Sequence, residues 1–282
     1  MTGTGNSIAE LLRAAKHSLQ GLESARLDAE VLLLQLLDAG REWLYAHGEQ
    51  EVPEATARDY FTLIRQRREG FPVAYLTGRR EFWSLDLRVS RHTLIPRPET
   101  EGAVEAALER LGDRESARVL DLGTGSGAIA LALARERPGW RIVASDISRE
   151  ALGVAQWNAD HTAVRNVEFV QSDWFSALAG RRFDLIVCNP PYVDTQDRAL
   201  IEGEIRFEPR LALDGGHAGM QAITAVASGA ARHLHSPGVL VLEHAADQGP
   251  AVRRLLAHCG FTAVETFPDP AGLERISCGR WE

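Results

Sequence analysis

The stretch from Arg118 to His161 most narrows the folds open to this chain, because apolar runs of strand length alternate there with helical periods. Arg118 to Leu122 and Arg141 to Ser145 read as buried strands, followed by helices reaching Arg137 and His161, with a third strand at Val167 to Gln171. Strands joined through helices return to the same edge and pair in parallel. The pattern therefore predicts a Rossmann-like α/β fold, an open and mostly parallel sheet with helices on both faces. Further strands are predicted at Phe183 to Cys188, Gly238 to His244, Phe261 to Phe267 and Arg275 to Gly279. The last two flank Pro268-Asp269-Pro270-Ala271-Gly272, so they read as an antiparallel hairpin at the sheet edge.

Ahead of the sheet the periodicity is purely helical. Ile8, Leu11, Leu12, Ala15 and Leu19, then Leu27, Val31, Leu34 and Leu37, then Tyr60, Phe61 and Ile64 predict a small bundle from Ser7 to about Gly70. Pro53 stands near the start of the third helix, and Gly70 with Pro72 closes the run. Phe82, Trp83, Leu85, Leu87 and Val89 then alternate as a β-hairpin would. Val193 to Gly219 carries little period, and a loop that long in a compact domain is usually functional.

Composition excludes some partners. With a net charge of −8 the chain lacks the cation excess of a broad nucleic-acid grip. Cys188, Cys259 and Cys278 are widely spaced, which predicts neither a disulfide framework nor a zinc site and fits a reducing cytosol. The polar start from Met1 to Ser7 has no basic leader pattern, and Val31 to Leu37 is too short to span a bilayer. A cytoplasmic protein without bound metal is expected.

Two motifs sit where predicted strands end. Asp121-Leu122-Gly123-Thr124-Gly125-Ser126-Gly127-Ala128 follows the first strand of the sheet and opens a helix, a setting in which a ligand approaches the backbone closely. Asp146, at the end of the next strand, could bind a ribose, and either a dinucleotide or S-adenosylmethionine satisfies this much. Asp121 beside the turn suits a cationic, amino-acid-bearing cofactor better than a pyrophosphate. Asp173 and Trp174 after the third strand could receive an adenine amino group and cover its ring, which also favours S-adenosylmethionine. The second motif is Asn189-Pro190-Pro191-Tyr192. Its prolines stiffen the backbone and leave its carbonyls only to accept, a corner suited to a planar NH2 group.

With Leu94-Ile95-Pro96-Arg97-Pro98-Glu99-Thr100-Glu101, Gln171 to Phe175 and Arg206-Phe207-Glu208-Pro209, these motifs make the chain resemble the HemK/PrmC family of protein-(glutamine-N5) methyltransferases over nearly its whole length. The resemblance implies a class I S-adenosylmethionine-dependent methyltransferase domain at 97–282, a β-hairpin linker at 79–96 and a helical substrate-recognition domain at 1–78. It also implies that Gly123, Thr124, Gly125, Ser126, Gly127, Asp146, Trp174 and Asn189 contact S-adenosylmethionine, that Asn189 to Tyr192 hold a glutamine, and that the substrate is the Gly-Gly-Gln glutamine of class 1 peptide chain release factors. Asn189, Pro190 and Tyr192 are the expected catalytic set, with Tyr192 packed on the amide or the transfer axis and Arg97 at the cleft mouth. Three other activities remain open at this level: methylation of large-subunit ribosomal protein L3, DNA adenine-N6 methylation through the same Asn-Pro-Pro-Tyr corner, and dinucleotide-dependent oxidoreduction.

Overall fold

The computed structural model describes residues 6–282, so Met1 to Gly5 of the polar N-terminal stretch lie outside the described residues. Contacts divide the chain into one unit ending at Gly78 and a second running from Arg79 to Glu282.

The first unit is helical: α1 (Ile8–Ser18), α2 (Ala25–Leu37), α3 (Arg41–Ala46), α4 (Glu54–Arg68) and α5 (Val73–Thr77). A capping box starts α1, in which Ser7 Oγ accepts from the Glu10 amide while the Glu10 carboxylate accepts from the Ser7 amide. The short helices α3 and α5 are additions to the predicted bundle. Pro72 precedes α5 and so opens a further helical turn instead of closing the bundle. The buried face of α2 also differs from the expected one, since Ala29, Leu32 and Leu33 point inward while Leu27 is 48% exposed. This helix is apolar around most of its circumference, and polar partners choose its face. Arg67 Nε donates to Asp28 Oδ2 at 2.6 Å, and the Tyr60 hydroxyl donates to the Ala29 carbonyl at 2.9 Å.

The second unit opens with β1 (Arg79–Phe82) and β2 (Leu85–Arg88), an antiparallel hairpin. Both residues of its turn, Trp83 and Ser84, take positive φ (52° and 55°), without the glycine usual there. Carboxylates compensate: the Trp83 amide donates to Glu101 and the Ser84 amide to Glu81. There follow α6 (Glu101–Leu111), β3 (Arg118–Leu122), α7 (Ala128–Glu136), β4 (Arg141–Asp146), α8 (Arg149–His161), β5 (Val167–Gln171) and β6 (Phe183–Cys188). The chain ends with α9 (Gln221–Ala230), β7 (Leu234–Glu243), α10 (Gly249–His258), β8 (Thr262–Pro268) and β9 (Glu274–Trp281). Asn158 of α8 exchanges two hydrogen bonds with the Arg88 backbone, so the hairpin is tied into this unit.

Among the described residues seven strands form one sheet in the order β5-β4-β3-β6-β7-β9-β8, parallel except for β9. The closing hairpin is antiparallel as predicted, and its second strand, not its first, joins β7. Successive residues on β3 face opposite cores: Val119 packs with α6 and α7, Leu120 with α9 and α10. β7 begins four residues earlier than predicted, because Leu234 pairs with Phe183 before a bulge resets the register to Val239 on Leu185. Among the described residues no helix is long and apolar enough to cross a membrane. Replacing Asp28 by Ala removes the buried carboxylate that pairs with the Arg67 guanidinium in the helical unit, and urea unfolding should show a loss of about 3–5 kcal/mol.

Candidate functional site

Strand order reverses between β3 and β6. Helices leave the two strands toward opposite sides there, and a crevice opens at their carboxyl ends. The pairing of Leu120 with Ile186 and Asp121 with Val187 brings the glycine loop and Asn189 to the same rim. A cleft of about 490 Å³ lies over it, within the roughly 300–1,000 Å³ usual for small-molecule sites. Its walls come from residues within 91–96, 122–129, 145–151, 172–174, 189–191 and 209–215, from Thr100, and from Gln221, Ala222 and Ala225 of α9; Gly127 is not among them.

The glycine loop is pinned from behind. The amides of Gly123 and Thr124 both donate to the Ser145 carbonyl at 2.8 Å, and Gly123, Gly125 and Gly127 all take positive φ. A side chain on Gly123 or Gly125 would meet open space, whereas a Cβ on Gly127 would stand 3.2 Å from Ala155 and Leu131. The first two therefore keep the cleft open and the third lets α7 approach α8. Gly123, Thr124, Gly125 and Ser126 line the cleft. Asn158 Nδ2 supports the loop at the Ser126 carbonyl, 2.8 Å away.

Among the acids, Asp146 and Asp173 line the cleft, as does Trp174. Asp146 accepts from the Gly125 and Ser148 amides, both at 2.9 Å. Asp121 lies beneath the loop instead. Its Oδ2 accepts from Thr124 Oγ1 at 2.6 Å and from the Ala130 amide at 3.1 Å, while Oδ1 has no partner among the described residues.

On the opposite rim, Asn189 Nδ2 donates to Thr100 Oγ1 at 3.2 Å, and Asn189 Oδ1 is buried without a hydrogen-bond partner among the described residues. Asn189, Pro190 and Pro191 line the cleft. Tyr192 does not, because its hydroxyl turns back to donate to Glu243 Oε1 at 3.2 Å. Arg97 is likewise drawn aside: it pairs with the buried Glu208, whose other oxygen accepts from the Ile95 amide at 2.9 Å. Thr100 and Glu208, quoted in motifs but given no role there, and Asn158 and Glu243, outside every motif, are thus site-shaping residues. Glu243 carried a visible signal, a charge at the end of the apolar run Val239 to Leu242.

Residues 99–206 match the family described as methyltransferase small domain, and residues 10–78 match the PrmC N-terminal domain. The release factor glutamine methyltransferase of Salmonella typhimurium is 48% identical over 270 residues, covering 96% of this chain and 97% of that protein. That of Pseudomonas aeruginosa is 50% identical over 258 residues, covering 92% and 93%. Among solved structures, a T. thermophilus 16S rRNA N2 methyltransferase in complex with AdoMet and guanosine aligns with a TM-score of 0.52 at 24% identity, over 72% of this chain and 50% of that one. A Pyrococcus furiosus methyltransferase aligns with a TM-score of 0.52 at 18% identity, over 70% and 88%. At such identities the likeness is one of fold, and the fold of the sheet unit is that of class I methyltransferases.

Burial sets the electrostatics of the rim. It pushes Asp121 up from 3.8 to about 7 against the hydrogen bonds from Thr124 and Ala130, and it raises Asp146 as well. An acid whose pKa is raised in the folded state holds its proton longer there than in the unfolded chain. Between about pH 4 and 7 the folded state therefore binds more protons, and stability falls as pH rises through that window. Asp121→Asn removes this contribution. Its stability relative to the parent should climb from pH 4 to 7, by up to about 1.4 kcal/mol per pH unit in urea titrations, and level off above 7.

Proposed function

This chain belongs to the release factor glutamine methyltransferase family, and from that membership we propose that it methylates the N5 amide nitrogen of the glutamine in the Gly-Gly-Gln motif of class 1 peptide chain release factors. The single observation in the site that carries the reading is Asn189 Oδ1, buried and without a hydrogen-bond partner among the described residues, on the residue that opens the stiff Pro190-Pro191 corner. A lone acceptor of that kind lacks only a donor, and a carboxamide supplies two N–H groups.

S-adenosylmethionine is the methyl donor. The residues present fit it: the open edges of Gly123 and Gly125, the carboxylates of Asp146 and Asp173, and the ring of Trp174 meet around one cleft on a chain of net negative charge. In this reading the loop from Gly123 to Gly127 takes the amino-acid end, Asp146 the ribose hydroxyls, and Asp173 with Trp174 the adenine. Bound there, the cofactor supplies an electrophilic methyl group on a sulfonium.

The chain's own task is orientation. A carboxamide nitrogen is a poor nucleophile because its lone pair is delocalised into the carbonyl, so the gain comes from holding it in line with the methyl group. Asn189 Oδ1 and the Pro190 carbonyl accept the two N–H bonds of the substrate. These acceptors strengthen as the nitrogen gains positive character, which favours the transition state over the ground state. Asn189 has no useful protonation near neutral pH and cannot act as a base, so the proton leaves to water. Tyr192 holds the corner through Glu243 instead of packing on the transferring methyl, and Arg97 holds the 95–97 segment through Glu208.

The helical unit up to Gly78 serves substrate recognition in this reading, and the enzyme works in the cytoplasm. The test is incubation with labelled S-adenosylmethionine, purified release factor, ribosomal protein L3 and DNA, with the label located by mass spectrometry. Label on the Gly-Gly-Gln glutamine is expected; label on DNA or L3 alone would overturn the reading. Asn189→Ala should lower kcat by about 100-fold or more, as loss of a transition-state hydrogen bond does elsewhere, while calorimetry shows cofactor affinity changed far less.

A further inference from the structure

After Tyr192 the long loop at 193–219 folds back against the corner it leaves. The Val193 amide donates to the Leu213 carbonyl at 2.9 Å, and the Val193 carbonyl accepts from the Gly215 amide at 2.8 Å. This bridge seats Asp214-Gly215-Gly216-His217-Ala218-Gly219 directly behind Pro191 and Tyr192. A Cβ on Gly215 would stand 2.5 Å from the Pro191 carbonyl oxygen and 2.8 Å from Tyr192 Cα, and one on Gly219 would collide with the Tyr192 carbonyl oxygen. Backbone thus packs on backbone, and glycine is what permits it.

Gln248 fastens this junction. Its main-chain carbonyl accepts from the Ala251 and Val252 amides at 2.9 Å, so the start of α10 fixes its stem, and the side chain is buried. Nε2 donates to the Tyr192 carbonyl at 3.1 Å and to the Ala218 carbonyl at 3.0 Å, while Oε1 accepts from the Ala245 amide at 2.9 Å. A primary amide has two N–H bonds to give, and both are spent here on backbone carbonyls of different segments. Ala218 takes φ 52°, a conformation disfavoured for a residue with a Cβ, and such strain persists only where the surroundings hold it. The corner, the loop's return and the turn between β7 and α10 therefore meet at one side chain.

Pro190 and Pro191 have φ locked, which leaves ψ as the soft dihedral of each. β6 carries the near end of the corner through Cys188, and Tyr192 is its far end. The place of the Tyr192 carbonyl then sets the line of the Pro190 carbonyl between them. We propose that Gln248 is a positioning residue for methyl transfer: by holding the Tyr192 carbonyl against the return at 215–219, it aims the Pro190 carbonyl and Asn189 Oδ1 at the substrate amide. The proposal rests on the reading of those two atoms as acceptors for the glutamine amide. Gln248 itself does not line the cleft and acts through the corner alone.

The full chain is compared with its Gln248→Met and Gln248→Glu variants, each alone and combined with Asn189→Ala. The readouts are kcat and KM on release factor, taken well below each variant's Tm, and S-adenosylmethionine affinity by calorimetry. Gln248→Met removes both donors and keeps the bulk; Gln248→Glu keeps the shape and the acceptor for Ala245 but turns an oxygen to two carbonyls. Each should lower kcat about 10- to 100-fold, as small misplacements of reacting groups do, with KM and cofactor affinity within about threefold. In the Asn189→Ala background the further loss should shrink to about threefold or less, because both residues act on one corner. A parent-like kcat in both single variants, a kcat loss matched by a fall in cofactor affinity, or losses that simply multiply in the double variants would each overturn the proposal. A parent enzyme that leaves the release factor unlabelled, or an Asn189→Ala variant as active as the parent, would instead overturn the functional reading beneath it.

Discussion

Parallel pairing of β3 with β6 is the constraint on which the site depends. Three residue pairs, from Val119 with Leu185 to Asp121 with Val187, set the register, and the sheet order reverses at this seam. Both strands are buried on two faces, so a slip by one residue would move Val119, Leu120 and their partners into the wrong cores. Register enforced by burial thereby places the glycine loop beside the Asn189 corner. The chemistry needs those two loops within one ligand's length of each other, and hydrophobic packing beneath the rim secures it.

Above that apolar base runs a polar layer that holds the loops in shape. Asp121 supports the glycine turn from below, Asp146 accepts from its outer amide, and Asn158 ties it to α8 and to the hairpin. Glu208 does the same for the segment at Ile95 and Arg97, and Glu243 for Tyr192. Several of these carboxyls are fully buried, and burial pushes Asp121 and Glu243 toward neutrality, each to about 7. Stability is lost in keeping such groups, and what is obtained is a rim whose loops are each tied by buried hydrogen bonds.

Much of this was legible from residue order. Alternating strands and helices, glycines after a strand and Asn-Pro-Pro-Tyr at another strand's end are local patterns, and local sterics and periodicity produce them. The readings that changed share one cause. Leu27 was expected inside and is exposed, because α2 has apolar residues all round and Asp28 finds Arg67 on another helix. Tyr192 was expected over the substrate and turns to Glu243; Arg97 was expected at the mouth and turns to Glu208. In each case a polar atom's partner lies far along the chain.

The sequence by itself determined the layering of the sheet, the helical character of the N-terminal unit and the positions of both motifs at strand ends, since these follow from side-chain period and backbone preference within a few residues. Only the tertiary structure decided which atoms are left to meet a substrate. Asn189 finds Thr100 across 89 residues and Ile95 finds Glu208 across 113. Such pairings depend on register, twist and loop path together. An acceptor such as Asn189 Oδ1 becomes visible only after every neighbour has taken its own partner.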